Sequence, residues 1–244
     1  MPTLTSPPFI TPPSLIWPFA VPAPDTKLAL AGFDAAHFDD DDFVRHGLKR
    51  PASLARAVAK RRAEYLAGRL CARTALEAIG LAPGPLERLP DRQVAWPTAA
   101  CGAITHARNL AGALVAPRGD YRGVGLDAEP WLTPARAAYL APSILVESEQ
   151  THFNALAPAP FARAVTLAFS LKESLFKALY PIIGVRFYFH DAHLDALDAS
   201  ATHGRCRLVL RRHLTLDWPA GRSLEGLYCD YAQQALTSVL IDRR

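Results

Sequence analysis

Apolar residues follow several rhythms along this chain, and each predicts a different element. Up to about Pro24, prolines interrupt every apolar run, as in "MPTLTSPPFITPPSLIWPF", which predicts an extended arm. The run "KLALAGF" then predicts a short strand. In "SLARAVAKRRAEYLAGRLCARTALEAIG" apolar residues recur at helical spacing, with Ser53 as candidate N-cap and Gly80 as the stop. Pro and Gly between Leu81 and Pro97 predict a loop. "GAITHARNLAGALVAP" holds an apolar strand after a polar turn, and "YRGVGLDAEP" holds another short strand. A Pro-bounded helical section that includes "APSILVESEQTHFNAL" leads to a helix containing "AFSLKESLFKALYP", Ala168 to Pro181. Past Pro181 the pattern turns to β: "VRFYFHDAHL", "RCRLVLRRHL" and "LEGLYCDYAQQALTSVLI" read as strands. Helices and strands mix without regular βαβ alternation, so the expected fold class is α+β.

Composition narrows the class. The 244 residues are half hydrophobic and one-fifth charged, which excludes disorder and permits a sizeable core. Net charge is only +4, but it is unevenly spread: Arg45 to Arg73 holds nine Lys/Arg and one acid, Glu64. Such a patch suits phosphates, nucleic acid or an acidic protein. The four cysteines are far apart with no CxxC pair, which predicts a reducing, cytoplasmic compartment. The start lacks the basic n-region of a signal peptide, and no run approaches the ~18 apolar residues of a membrane span. "DDDDF", Asp39 to Phe43, reads as a solvated loop or a helix N-terminus.

Three clues carry chemistry. Asp127 and Glu129 of "VGLDAEP" are two apart, so a strand puts both carboxylates on one face while Val124 and Leu126 take the other. Such a pair repels unless a cation lies between, and Mg²⁺ is held through a few carboxylates, water and substrate phosphates. Glu173 and Lys177 lie about 40° apart on a helix, one turn from each other, among the apolar Phe169, Leu175, Phe176 and Leu179. Charges on a largely buried helix need partners. On the long basic helix Arg62, Arg69 and Arg73 fall in the apolar arc and need anions, whereas Lys60 and Arg61 lie opposite. His106 closes "ITH" at a strand–turn boundary, where it can donate to a phosphate.

Four blocks, "VAKRRAEYLAGRLCARTALEAIG", "WPTAACGAITH", "GVGLDAEP" and "FSLKESLFKALYP", with "FHDAHL" as a weaker fifth, resemble the 4′-phosphopantetheinyl transferases of the enterobactin-type and actinobacterial carrier-protein-activating group. The resemblance runs from about Ala55 to Leu194 and departs from the usual pattern at Ala103, Ala107 and Arg92. It implies a pseudo-dimeric fold of two similar α+β halves, residues 1–120 with the basic coenzyme A-binding helix and 121–244 with the metal site and a β-rich tail. It further implies Mg²⁺-dependent (or Mn²⁺-dependent) transfer of the phosphopantetheine arm of coenzyme A to a serine of apo acyl or peptidyl carrier domains, releasing 3′,5′-ADP. By the same resemblance Asp127, Glu129 and Glu173 bind the metal, Glu173 is the general base, and Lys172 and Lys177 neutralise pyrophosphate, with Lys177 also catalytic. Arg61, Arg69, Arg92, Thr105 and His106 surround the nucleotide and its 3′-phosphate. A monomer suffices, with no nucleic-acid or membrane partner. A Mg²⁺-dependent phosphohydrolase acting on a nucleotide-like substrate could use the same carboxylates.

Overall fold

The computed structural model describes residues 7–199 and 201–243, so the first six residues of the predicted arm lie outside it. In chain order the regular elements are β1 (Ser14–Leu15), β2 (Lys27–Gly32), α1 (Asp42–Arg45), α2 (Ala59–Ala78), β3 (Ala100–Ala107), β4 (Leu110–Pro117), β5 (Tyr121–Pro130), α3 (Pro134–Ile144), α4 (Glu147–Phe153), α5 (Pro158–Ile183), β6 (Ala192–Ala196), β7 (His203–Leu210), β8 (Ser223–Tyr231) and β9 (Gln234–Asp242). They form two antiparallel sheets, ordered β1-β2-β4-β3 and β5-β9-β8-β7-β6. The class is α+β.

Period-two alternation sorts the strands into layers. Leu28 and Leu30 of β2 and Leu114 of β4 point to one side, where they share a core with Leu126, Leu227 and Leu236 of the second sheet. Their neighbours Ala29, Ala31, Ala111 and Ala113 point the other way, under Leu66, Leu70 and Leu76 of α2. In the second sheet Ala235, Val239 and Leu208 face Leu167, Leu171 and Leu175 of α5. The sheets therefore pack face to face with one long helix on each outer side. Strands buried on both faces read as continuous apolar runs, which is why β4 is so uniformly hydrophobic.

Helix α5 lies directly on β5. A Cβ at Gly125 would sit 1.8 Å from the Ser174 carbonyl oxygen, and one at Gly123 would sit 2.4 Å from that of Ala178. Only hydrogen at these two positions allows the backbones to touch. The helix is then fixed at its far side by a buried ion pair. Lys172 Nζ lies 2.7 Å from Glu149 Oε2 and also donates to the Ile144 carbonyl at 2.8 Å. Glu149 accepts in addition from the Val146 and Leu194 backbone N–H groups, so its carboxylate joins α4, α5 and β6. Both side chains are 2% exposed. Burial pulls the Lys172 ammonium below its ordinary pKa, opposed by Glu149.

Several boundaries differ from those the sequence predicts. Ser53 falls in a 3₁₀ turn, Ala52–Leu54, and α2 starts at Ala59, because Leu54 turns into the core and Arg62 donates back to the Ala57 carbonyl. Gly80 does end the helix region, with φ of 78°. "GAITHARNLAGALVAP" is a two-stranded hairpin, not one strand after a turn. Helix α5 runs through Pro181, whose missing N–H costs one bond in the last turn. Of "VRFYFHDAHL" only the last three residues, from Ala192 to Leu194, are strand, the start of β6, because Phe187 and Phe189 pack on Phe176 and Phe169 of α5 instead of a sheet. The arm adds β1 to the edge of β2 and buries Phe9, Ile10 and Phe19.

Two stability outcomes follow from these contacts. Gly125→Ala should lower the unfolding free energy by about 1–3 kcal/mol or more, as for overpacked cores, in urea denaturation. Gly119→Ala, where nothing lies within 4 Å of a Cβ, should leave it unchanged. Glu149→Ala should cost about 3–5 kcal/mol by stranding the Lys172 charge, and the double change Glu149→Leu with Lys172→Met should recover much of that loss. Equal stability of Glu149→Ala and the parent would contradict the anchoring role.

Candidate active site

Strands β3 and β5 are edge strands of their sheets, and they run beside each other. Thr105 of β3 joins them: its Oγ1 accepts from the Ala128 N–H at 3.0 Å and reaches Asp127 Oδ1 at 3.5 Å. Asp127 is 4% exposed and is the most constrained acid of the site. Lys177 Nζ donates to its Oδ1 at 2.6 Å and to the Leu126 carbonyl at 3.1 Å. Ser170 donates to its Oδ2 at 2.8 Å. Ser170 Oγ and Ser174 Oγ each lie 2.8 Å from Thr237 Oγ1, and Ser174 Oγ lies 3.0 Å from the Thr237 carbonyl. A carboxylate only accepts, so Ser170 spends its single hydrogen on Asp127 and accepts one from Thr237. The buried hydroxyls thus orient Asp127. Ser170, Ser174 and Thr237 escaped the sequence reading, although two serines four apart in an apolar helix were a visible signal.

Glu129 and Glu173 complete an acidic group around Asp127. Burial first, then Asp127 and Glu173, push the Glu129 carboxyl up to about 7, with Lys177 opposing. Burial likewise raises Glu173, against Lys177 and with Asp127 adding to it. These shifts mark carboxylates withdrawn from water and placed near other acids. Among the described residues no three His, Cys, Asp or Glu side chains already surround one point as a metal site. Lys177 supplies the nearest cation instead. The donor set itself, oxygen only and from one strand and one helix, suits a hard divalent cation.

The predicted nucleotide residues divide into two places. Arg61 Nη1 donates to His106 Nε2 at 2.8 Å, which puts the His106 proton on Nδ1, 3.6 Å from Glu64 Oε2. Burial lowers the His106 pKa, with Glu64 opposing and Arg61 assisting, and this favours the neutral ring. Arg69 is buried, donates from Nε to the Leu86 carbonyl at 2.8 Å and lies 4.4 Å over the Tyr65 ring. It therefore holds the loop that carries Arg92. Arg92 itself has φ of 77°, uncommon for a residue with a side chain, and lines a cleft of about 350 Å³ together with Lys177. The other helix arginines meet partners within the fold: Arg62 finds Asp40 at 2.7 Å, and Arg73 donates to the His46 carbonyl.

Lys172 does not converge on this point. Five residues from Lys177, it leaves the helix about 140° away, and its ammonium is turned inward to Glu149. The expectation that it meets pyrophosphate gives way to a structural role. Its stem lines a second hollow of about 190 Å³, which opens beside Glu173 between Phe176, Phe187 and Phe189.

Comparison with known proteins identifies the family. Residues 50–116 match the 4′-phosphopantetheinyl transferase N-terminal domain, and residues 123–233 match the 4′-phosphopantetheinyl transferase superfamily. The 4′-phosphopantetheinyl transferase Svp of Streptomyces mobaraensis is 39% identical over 177 residues, covering 72% of this chain and 69% of its own. The 4′-phosphopantetheinyl transferase PptT of Mycobacterium tuberculosis (strain ATCC 25618 / H37Rv) is 31% identical over 190 residues, covering 77% and 82%. Enterobactin synthase component D of Salmonella typhi is 36% identical over 162 residues, covering 66% and 65%. The two matched regions meet where β3 and β5 bring the acids and the basic cleft together, and the chain belongs to the 4′-phosphopantetheinyl transferase superfamily, enzymes that transfer phosphopantetheine from coenzyme A to a carrier-protein serine.

Proposed function

We propose that coenzyme A lies along the cleft between β3, β5 and α5, with its pyrophosphate at Asp127, Glu129, Glu173 and Lys177. The observation that carries this reading is Lys177, which lines the arginine-bearing cleft and lies 2.6 Å from Asp127, with Glu129 and Glu173 in electrostatic reach of both. Arg61, Arg69, Arg92, Thr105 and His106 serve the nucleotide half. The apolar hollow beside Glu173 suits the pantetheine arm, which extends from the pyrophosphate on the side away from the nucleotide. Each half has an antiparallel sheet with a long helix outside it, which supports a pseudo-dimeric arrangement of residues 1–120 and 121–244. One chain carries both the basic and the acidic side of the site, so a monomer suffices. The four buried free thiols fit a reducing, cytoplasmic setting, and among the described residues no helix is long and apolar enough to cross a membrane.

Asp127, Glu129 and Glu173 would hold Mg²⁺, or Mn²⁺ in its place. When bound, that ion offsets negative charge on the pyrophosphate and polarises the reacting phosphoryl group. The carrier serine oxygen attacks the β-phosphorus, the bond from that phosphorus to the bridging oxygen breaks, and 3′,5′-ADP leaves. Glu173 takes the serine proton, directly or through water. Its burial raises its pKa, the direction that strengthens a base working near neutral pH. Lys177, fixed by Asp127 and the Leu126 carbonyl, meets the departing α-phosphate as it gains charge, with little reorganisation. Acyl and peptidyl carrier domains are the expected acceptors.

Incubation with coenzyme A, Mg²⁺ and apo carrier domains, read by intact mass, should show addition of phosphopantetheine. Release of 3′,5′-ADP without carrier modification would indicate a phosphohydrolase. Glu173→Gln should lower transfer by about 10²-fold or more with unchanged circular dichroism. Near-normal turnover would remove Glu173 from the mechanism. Lys177→Ala should lower kcat by about 10²–10³ with little change in coenzyme A affinity, because its charge acts on the leaving group. A normal kcat with weakened binding would reverse that division.

A further inference from the structure

The segment between α2 and β3 folds back on itself as a small hairpin. The Ala95 N–H donates to the Glu87 carbonyl at 2.8 Å and the Leu89 N–H to the Gln93 carbonyl at 2.8 Å, with Arg88 paired antiparallel to Val94. At the tip the Arg92 N–H donates to the Leu89 carbonyl at 2.9 Å, which closes a turn over Pro90 and Asp91. Arg92 then takes the left-handed position that ends such three-residue hairpin loops, where glycine is the easier residue. One side of the hairpin, from Asp91 to Val94, lines the cleft, whereas Glu87, Arg88, Leu89 and Pro90 on the other side are exposed. The hairpin is therefore a thin wall, with the cleft on one side and solvent on the other.

This wall is pinned at both ends. At one end Trp96 packs against Gly102, where a Cβ would come within 2.6 Å of the indole. At the other end Leu86 is 3% exposed, with its side chain in the core beneath α2, yet its backbone is left-handed, with φ of 48°. For a bulky residue that conformation is strained, and it persists only where the surroundings over-determine it. Two contacts do so here: the buried leucine side chain, and Arg69 Nε, which donates to the Leu86 carbonyl at 2.8 Å. Pro85 just before it is already restricted in φ, so Leu86 is the first free pivot of the hairpin. Gating loops turn on a few such residues at their ends.

We infer that residues 87–95 form a flap over the cleft, hinged at Leu86, and that Arg69 is the positioning residue that holds the hinge. With the hinge held, Arg92, Gln93 and Val94 are presented to the occupant of the cleft. With it free, the wall swings away and the cleft opens to solvent. The occupant is coenzyme A, which rests on the function proposed above, but the hinge itself belongs to the ligand-free chain.

Hydrogen exchange read by mass spectrometry on the ligand-free protein tests the hinge directly. Arg69→Lys keeps the charge and loses the Nε donor, and Leu86→Gly removes the side-chain anchor and the strain together. Each should speed exchange of the Leu89 and Ala95 amides about tenfold or more, as loss of a charged group's hydrogen bond implies, with α5 amides at parental rates. The double variant should be no faster than the faster single one, because both act on one hinge. Coenzyme A should slow the same amides in the parent. In calorimetric titration Leu86→Gly should weaken coenzyme A and dephospho-coenzyme A by the same factor, because the flap closes on either. Unchanged hairpin exchange in either variant, acceleration that spreads to α5, additive effects in the double variant, or a loss confined to coenzyme A would overturn the flap and leave the transferase reading intact. Failure of the parent to bind coenzyme A would overturn the transferase reading, and the ligand-free exchange would still decide the hinge.

Discussion

The direct contact of the α5 backbone with β5 at Gly123 and Gly125 governs the rest of the site. A methyl group at Gly125 would overlap the Ser174 carbonyl oxygen, so any larger residue must lift the helix from the strand. With the helix seated, Ser170 and Lys177 reach opposite oxygens of Asp127. A hydrogen bond weakens steeply as donor and acceptor separate or misalign. An ångström of helix displacement would therefore loosen both bonds to Asp127 together. The glycines of "VGLD" are in this sense as much part of the site as its acid.

The same helix treats its two lysines in opposite ways. Lys172 is enclosed with Glu149 and satisfied by backbone groups, which makes it a fastener between α4, α5 and β6. Lys177 is 27% exposed and faces the acids and the cleft. A buried pair is a weak source of net stability, but removing one partner is expensive. The Lys172–Glu149 pair thus enforces one seating of α5, and that seating turns Lys177 toward Asp127 and the cleft. Fixing and reacting are divided between two faces of one helix.

The site joins two charge excesses that are each incomplete. The carboxylates Glu129 and Glu173 are raised by burial and by neighbouring acids, while among the described residues Asp217 is the only carboxylate within 4 Å of an arginine that lines the cleft. A substrate with a metal-chelating pyrophosphate and an anionic nucleotide supplies what both lack. Thr105 bridges the strands where these two regions meet.

Much of this was legible in the sequence because it depends on local spacing. Two carboxylates two apart share a strand face, a glutamate and a lysine four apart share a helix face, and Gly80 stops α2 by its left-handed backbone. These gave the α+β class, and the structure brings Lys177 and the three acids near one another. Long-range packing decided the remainder. "VRFYFHDAHL" alternates like a strand, yet its phenylalanines fill α5 and only the end pairs in a sheet. Helical spacing already sets Lys172 and Lys177 about 140° apart, but that Lys172 is enclosed by Glu149, 23 residues away, is decided by the packing of α4. Leu86 carries no local signal at all, because its left-handed backbone is held by Arg69, 17 residues away, and by the core beneath α2. Periodicity assigns a residue to a face of its own element. What that face meets is set by which distant segments bury against it, and only the tertiary structure contains that information.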